Sequence, residues 1–145
     1  MTISICIPTY NRCFFLIDTL HDLFKQAIDL GVESQIEVCI SNNASTDNTK
    51  EELEKLHSDF PQFKILVNHN ETNIGADRNF IKVLSMSSGQ YSILKGDDDY
   101  FQAGGLKYLL NMLNENPQID FFISDVDIVN TRREFICHVD YLREK

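Results

Sequence analysis

The chain has 145 residues, of which 43% are hydrophobic and 24% are charged, a composition typical of one globular domain rather than a disordered or fibrous protein. Its formal net charge of −9 excludes the basic surface that DNA or RNA binding requires, so no nucleic acid is expected as a partner. No apolar run approaches the ~20 residues of a membrane span, and we expect no span in this chain.

Strands and helices alternate along the first hundred residues. Short apolar runs bounded by turn residues predict buried strands, and apolar residues spaced three and four apart predict helices. Predicted strands cover residues 3–7, 36–40, 63–67 and 91–94, and predicted helices cover residues 14–30, a segment through Leu53 and Leu56, and residues 76–86. This order is typical of a mostly parallel α/β sheet with helices on both faces.

The remainder of the chain predicts a helix over residues 104–113 and two strands, 119–129 and 133–139, around Asn130 and Thr131. Residues 140–145 are expected to be a frayed or truncated end. No linker composition interrupts the chain, so residues 1–145 are predicted to form one domain. Four cysteines without a CxxC pair, and no secretory leader pattern, predict free thiols in the cytoplasm, with Cys6 and Cys39 buried in strands.

Polar segments follow three of the predicted strands, at the positions where an open α/β sheet binds its ligands. They are PTYN from Pro8, SNNASTD from Ser41 and GDDD from Gly96. Because the carboxyl ends of parallel strands share one edge of the sheet, we expect these three loops to converge on one cleft.

The acidic triplet of Asp97, Asp98 and Asp99 places three like charges at a strand end, with only Lys95 nearby to offset them. A hard divalent cation such as Mg²⁺ or Mn²⁺ would neutralise them, and such ions are commonly shared between one or two carboxylates and substrate phosphates. A solvated turn or a helix N-cap would explain the triplet equally well.

No glycine-rich phosphate loop occurs, so any phosphate must be held by a metal and by side chains such as Arg78. Arg78 is also compatible with a plain surface position on its helix. The loop residues Tyr10, Asn11, Asn42 and Asn43 suit turns, and they equally suit the aromatic wall and amide partners of a nucleoside pocket.

Four segments together resemble one family: IPTYNR at 7–12, SNNASTDNT at 41–49, NIGADRNF at 73–80 and GQYSILKGDDDYF at 89–101. In order and spacing they are similar to the inverting family 2 glycosyltransferases of the GT-A fold. The resemblance covers about residues 2–115. The GDDD variant is most similar to bacterial transferases that add sugars to lipid-linked or surface polysaccharide.

The resemblance implies a role for each matching residue. Pro8, Thr9 and Tyr10 would line the nucleoside pocket, Asn43 would contact the base, and Arg78 would lie near the nucleotide. Asp97 would face the ribose or diphosphate, Asp98 would be the ligand of Mg²⁺ or Mn²⁺, and Asp99 would assist it. Asn42 departs from the family's usual aspartate, and Gly96 occupies the usual place of the first DXD aspartate.

The implied activity is transfer of a sugar from a nucleotide diphosphate sugar, with a UDP-sugar favoured, to a hydroxyl of a saccharide or lipid-linked acceptor. The family's acceptor-activating carboxylate lies well beyond the acidic loop. In this chain Asp125 and Asp127 follow the acidic loop, on the predicted strand 119–129. An alternative is therefore a nucleotide-sugar-binding module without turnover. A metal-dependent phospho-receiver or phosphatase-like domain is disfavoured, because such folds carry their acidic pair after the first strand, where this chain has PTYN.

Overall fold

The computed structural model describes residues 1–141. Most of the segment 140–145, for which a frayed end is predicted, lies outside these residues. The chain divides into two compact units, residues 1–110 and residues 111–145. The single-domain expectation stays a prediction, and the two units are described one at a time. Within residues 1–141, no helix is both long enough and apolar enough to cross a bilayer.

Strands and helices alternate in the first unit as predicted, with boundaries within a few residues of the expected ones. The strands are β1 (Ile3–Thr9), β2 (Ile36–Asn42), β3 (Lys64–His69) and β4 (Tyr91–Leu94). The helices are α1 (Cys13–Leu30), α2 (Thr49–Asp59) and α3 (Ala76–Leu84), and α4 (Gly105–Glu115) follows them across the boundary between the units.

The four strands form one parallel sheet in the order β3-β2-β1-β4. The chain steps outward from β1 to β3 and then returns across the sheet to β4. Because such crossovers are right-handed, α1 and α2 cover one face and α3 covers the other. Cys6, Cys39 and Val83 form a fully buried cluster beneath α3, which confirms the predicted burial of both cysteines.

Helix α1 buries a continuous apolar stripe and ends where the sequence predicts. Leu16, Leu20, Leu23, Phe24 and Ala27 are buried at helical spacing. Gly31 follows with φ of 65°, a left-handed conformation that favours glycine and lets its N–H bond back to the last turn. The ring of Phe24 stacks on Phe63, just before β3, with centroids 4.2 Å apart.

A buried carboxylate links β1, β2 and β3 at the end of the sheet opposite the loops that follow β1, β2 and β4. Glu37 is fully buried on β2 and accepts hydrogen bonds from Ser4 Oγ at 2.7 Å, from Ser88 N at 2.7 Å and from Ser88 Oγ at 2.6 Å. Lys64 of β3 forms an ion pair with it. Burial tends to raise the pKa of Glu37, but the bonds from Lys64, Ser88 and Ser4 outweigh it and lower the pKa to about 2.

The second unit contains an antiparallel hairpin of β5 (Val126–Val129) and β6 (Phe135–Val139). The prediction of a strand over 119–129 is wrong for residues 119–125, since only Val126–Val129 is extended and paired. An apolar run becomes a strand only when a neighbour supplies its backbone hydrogen bonds, and Phe121 and Ile123 of this run remain 78% and 50% exposed. Asp127 of β5 hydrogen-bonds His138 of β6 at 2.7 Å.

Candidate functional site

The loops after β1, β2 and β4 meet at one edge of the sheet, as the parallel topology predicts. Thr9 Oγ1 donates a hydrogen bond to Asp97 Oδ2 at 2.8 Å, which joins the β1 and β4 loops. Asn43 N donates to the carbonyl of Thr9 at 2.9 Å, which joins the β2 loop to the same point. Thr9 is therefore the centre of the junction.

Asp97 lies inside this junction rather than on its surface, with only 6% of the residue exposed. One carboxylate oxygen accepts from Thr9, and the other pairs with Arg12 Nε at 3.2 Å. Burial raises the pKa of Asp97 above its ordinary value, and the Thr9 hydrogen bond and the Arg12 charge partly offset that rise. The carboxylate is held in place by contacts within the protein.

Arg12 supplies a positive charge that the sequence reasoning missed. Besides Asp97, its Nη2 contacts the Asp98 carboxylate, and its guanidinium carbon lies 5.2 Å from the centre of the Phe15 ring. Lys95 was named as the only cation near the triplet, and the structure corrects that expectation. The available signal was that Arg12 closes the IPTYNR motif and is the one cation in the loop after the first strand.

Lys95 lies beneath the acidic loop, with 7% of the residue exposed, and its Nζ donates to the carbonyl of Gly96 at 3.1 Å. Burial lowers the pKa of Lys95 to about 8, although the negative charges of Asp99, Asp97 and Asp98 oppose that shift. The negative charge of the triplet is thus balanced in part by two cationic side chains of the protein itself, the buried Lys95 and the half-exposed Arg12.

The three aspartates point in different directions. Asp99 Oδ2 turns back and accepts from Gly96 N at 2.9 Å, whereas the side chain of Asp98 is 47% exposed. A Cβ atom on Gly96 would lie 2.6 Å from Asp99 Oδ2, so any other residue at position 96 would force the Asp99 side chain to shift. An aspartate at this position, as in the usual motif, would displace the Asp99 side chain.

The donor chemistry at Asp98 fits Mg²⁺ or Mn²⁺, because a carboxylate oxygen is the hard ligand that both ions prefer. Among residues 1–141, no three His, Cys, Asp or Glu side chains converge as a metal-binding group. A cation at Asp98 would therefore take most of its ligands from phosphate and water, which is common for Mg²⁺.

Helix α1 fixes the acidic loop from the side. Tyr100 Oη donates to Asp18 Oδ2 at 2.7 Å, and Gln26 Nε2 donates to the carbonyl of Phe101 at 2.9 Å. Thr19 Oγ1 donates to the carbonyl of Asp97 at 3.3 Å. Because these α1 residues recur along one face of the helix, a single rigid element sets the path of residues 97–101.

A network of side-chain amides organises the ends of β2 and β3. Asn43 Oδ1 accepts from Ile74 N at 2.9 Å and from Asn70 Nδ2 at 3.1 Å. Asn79 Nδ2 donates to the carbonyl of Ser41 at 2.9 Å. Contacts to backbone groups fix which way these amides face. We call Ser41, Asn43, Asn68, Asn70, Asn73 and Asn79 the amide network.

Asp47 joins the starts of two helices. Its carboxylate accepts from Cys13 N at 3.0 Å and from Thr49 N at 3.2 Å, so it caps both α1 and α2. Asn11, in the left-handed region with φ of 54°, accepts from Thr46 N at 2.7 Å. The β1 and β2 loops are thereby tied together along their length.

Comparison with known proteins decides the family. Residues 4–138 match the model for "Glycosyl transferase family 2". The chain belongs to this family.

Three glycosyltransferases illustrate the relationship. Abequosyltransferase RfbV of Salmonella typhimurium is 35% identical over 98% of this chain and 43% of its own length. The GalNAc(5)-diNAcBac-PP-undecaprenol beta-1,3-glucosyltransferase of Campylobacter jejuni is 27% identical over 78% of this chain and 35% of its own length. TarS 1–349 of S. aureus superposes with a TM-score of 0.70 at 26% identity, covering 81% of this chain and 33% of that chain. The chain thus spans less than half the length of these relatives, and its fold is that of the GT-A glycosyltransferases.

Within this family 2 chain, the residues predicted for the nucleotide differ in their surroundings. Thr9 is buried in the junction, Pro8 is half-buried and Tyr10 is 43% exposed. Arg78 is exposed on α3 and has no ion-pair partner within the described residues. Asn43 is buried, with its amide engaged in the amide network. Their roles toward a nucleotide stay predictions.

Proposed function

We propose that this chain is the donor-binding part of an inverting, metal-dependent glycosyltransferase of bacterial surface polysaccharide synthesis. The enzyme would transfer a sugar from a nucleotide diphosphate sugar to an acceptor hydroxyl. The observation that carries the proposal is the junction at Thr9, which locks Asp97 inward and leaves Asp98 accessible beside the loops that hold Tyr10 and Asn43. The four free cysteines favour a location of the protein in the reducing cytoplasm.

The relatives support the substrate classes. TarS 1–349, at 26% identity, has been crystallised in complex with UDP-GlcNAc, which favours a UDP-sugar as donor. The name of the Campylobacter relative includes a saccharide joined through a diphosphate to undecaprenol, which favours a lipid-linked saccharide acceptor.

Each residue of the edge has a proposed task. Pro8, Thr9 and Tyr10 would shape the nucleoside pocket, and Asn43, whose amide is engaged within the protein, would hold the wall of that pocket next to the base. Arg78, an exposed cation on α3, would attract the diphosphate. Asp98 would hold Mg²⁺ or Mn²⁺, which when bound stabilises the negative charge of the departing nucleotide diphosphate.

The acceptor-activating base is not assigned to this chain. Asp127 already hydrogen-bonds His138, and Asp125 accepts from Tyr141 N at 3.1 Å, so both carboxylates have partners in the second unit. We therefore expect these 145 residues to transfer little sugar by themselves. Robust transfer by this chain would contradict that expectation and would favour Asp125 or Asp127 as the acceptor-activating base.

Calorimetric titration with a panel of nucleoside diphosphates and their sugars, with and without Mn²⁺, tests the proposal. We expect binding that requires the metal and that falls at least about tenfold, or ~1.4 kcal/mol, in Asp98→Asn. Asp29→Asn is the matched control, because Asp29 is an exposed aspartate at the far end of α1.

Two results would contradict the metal-dependent site. One is nucleotide binding that is equally tight in excess chelator. The other is an Asp98→Asn affinity within about twofold of the parent, a difference of only ~0.4 kcal/mol. Nucleotide-sugar binding without turnover, in the presence of a saccharide acceptor, is the result expected of these 145 residues both as the donor-binding part of an enzyme and as a binding module.

A further inference from the structure

Arg12 holds two carboxylates with different ends of one guanidinium, and the two contacts have different surroundings. Nε pairs with Asp97, whose side chain is 8% exposed, and Nη2 pairs with Asp98, whose side chain is 47% exposed. Water and salt screen an ion pair more strongly when it is exposed. The Asp97 contact is therefore the more persistent one, and the Asp98 contact is the more easily broken one.

The inference rests on the proposed function, in which Asp98 holds the divalent cation. A guanidinium and a divalent cation that contact the same carboxylate repel each other, because like charges lie at such short range. We propose that Arg12 is the built-in counter-ion of Asp98 when no nucleotide is bound. The arriving cation displaces the Nη2 end of Arg12, while the Nε end stays on Asp97.

The local structure restricts this exchange to the side chain of Arg12. The carbonyl of Arg12 accepts the hydrogen bond of Leu16 N at 3.0 Å, which fixes its backbone at the start of α1. The side chain is 43% exposed, and the Phe15 ring offers its face to the guanidinium that leaves Asp98. An arginine suits this role because its planar fork can bridge two acids at once, whereas the ammonium of lysine is a point charge.

The consequence is that the metal alone binds weakly. A cation that arrives without phosphate must displace Arg12 for a single carboxylate ligand, and the displacement opposes binding. A cation that arrives with a diphosphate brings further ligands of its own, so the same displacement costs a smaller fraction of the total. The counter-ion thus leaves the free metal weakly bound, whereas the complex of metal and nucleotide still binds through its additional ligands.

Titration of the nucleotide-free chain with Mn²⁺ alone, followed by the electron paramagnetic resonance of unbound Mn²⁺, tests the proposal. Arg12→Gln should bind Mn²⁺ roughly threefold to tenfold more tightly than the parent, since it removes an exposed competing ion pair and its charge. Lys25→Gln, which removes one exposed charge from the same helix about 20 Å away, should leave the affinity unchanged. Arg12→Lys should fall between the parent and Arg12→Gln. Equal or weaker Mn²⁺ binding by Arg12→Gln would overturn the proposal.

A second measurement uses the unaltered arginine. Mg²⁺ should shift the Arg12 guanidinium resonances in a ¹H–¹⁵N spectrum of the parent and should leave them in place in Asp98→Asn. Unshifted resonances in the parent would also overturn the exchange. If Asp98→Asn abolishes Mn²⁺ binding while Arg12→Gln leaves it unchanged, the metal site stands and only the counter-ion role fails. If Asp98→Asn leaves Mn²⁺ binding intact, the metal role of Asp98 fails first.

Discussion

Replacing Glu37 by glutamine removes the buried negative charge that links β1, β2 and β3 at the end of the sheet opposite the candidate site. The pKa of Glu37 is lowered from 4.5 to about 2 in the folded chain. A depression of that size corresponds to about 3 kcal/mol of stability at neutral pH, and the half-exposed position of Lys64 makes this an upper figure. A neutral amide also cannot accept hydrogen bonds from Ser4, Ser88 and Lys64 as a carboxylate does, so the loss should be of that order.

The sign of the pH dependence follows from the lowered pKa. The contribution of Glu37 is fully present above its ordinary value of 4.5, and it is lost as pH falls through its folded value of about 2. Urea unfolding monitored by circular dichroism should therefore show Glu37→Gln less stable than the parent at pH 7, with the gap shrinking between about pH 5 and 2. Glu54→Gln, at an exposed position on α2, should match the parent throughout. A Glu37→Gln variant within about 0.5 kcal/mol of the parent at pH 7, or a gap that does not shrink in acid, would refute the reasoning.

Three further predictions follow from single contacts. Gly96→Ala should weaken metal-dependent nucleotide binding by calorimetry, because its Cβ would lie 2.6 Å from Asp99 Oδ2 and would push that carboxylate off its hydrogen bond with the backbone N–H of residue 96; unchanged affinity would contradict this. Asp47→Ala should lower the free energy of unfolding by about 1–3 kcal/mol in urea titrations, because one carboxylate caps both α1 and α2; a loss under ~0.5 kcal/mol would show that water replaces it. The hydrogen bond that His138 donates to the Asp127 carboxylate raises the pKa of His138, so the hairpin should be most stable below about pH 6.5 and should loosen as pH rises through the raised value. Amide exchange across β5 and β6 should show this trend, and Asp127→Asn should abolish it.

The fold was largely predictable because its signals are local. Apolar periodicity placed the strands and helices of the first unit, and the parallel topology alone brought the loops of Thr9, Asn43 and Asp97 to one edge. The predicted strand over residues 119–125 failed for the complementary reason. A strand depends on a partner that lies elsewhere in the chain, and composition does not state whether that partner is in place.

The chemistry of the site was only partly predictable, because its decisive contacts join residues far apart in sequence. Arg12 contacts an aspartate 86 positions away. Asp47 caps a helix 34 positions before it. The sequence showed three adjacent acids, but it did not show that they point in three directions. Side-chain geometry thus decides which of the three aspartates can bind an external cation.

The amide network gives the two halves of the candidate site different sensitivities to the solvent. Its members are neutral amides and one hydroxyl, so neither ionic strength nor moderate acid changes the charge on any of its hydrogen-bonding groups. The acidic loop depends on ion pairs, and at about 1 M salt the screening length falls to ~3 Å, so the exposed contact between Arg12 and Asp98 is weakened. Concentrated salt should therefore loosen the acidic loop while the amide network keeps its shape. Under the proposed function, the affinity for a nucleoside without phosphates would then change little in a buffer that greatly lowers the affinity for the corresponding diphosphate.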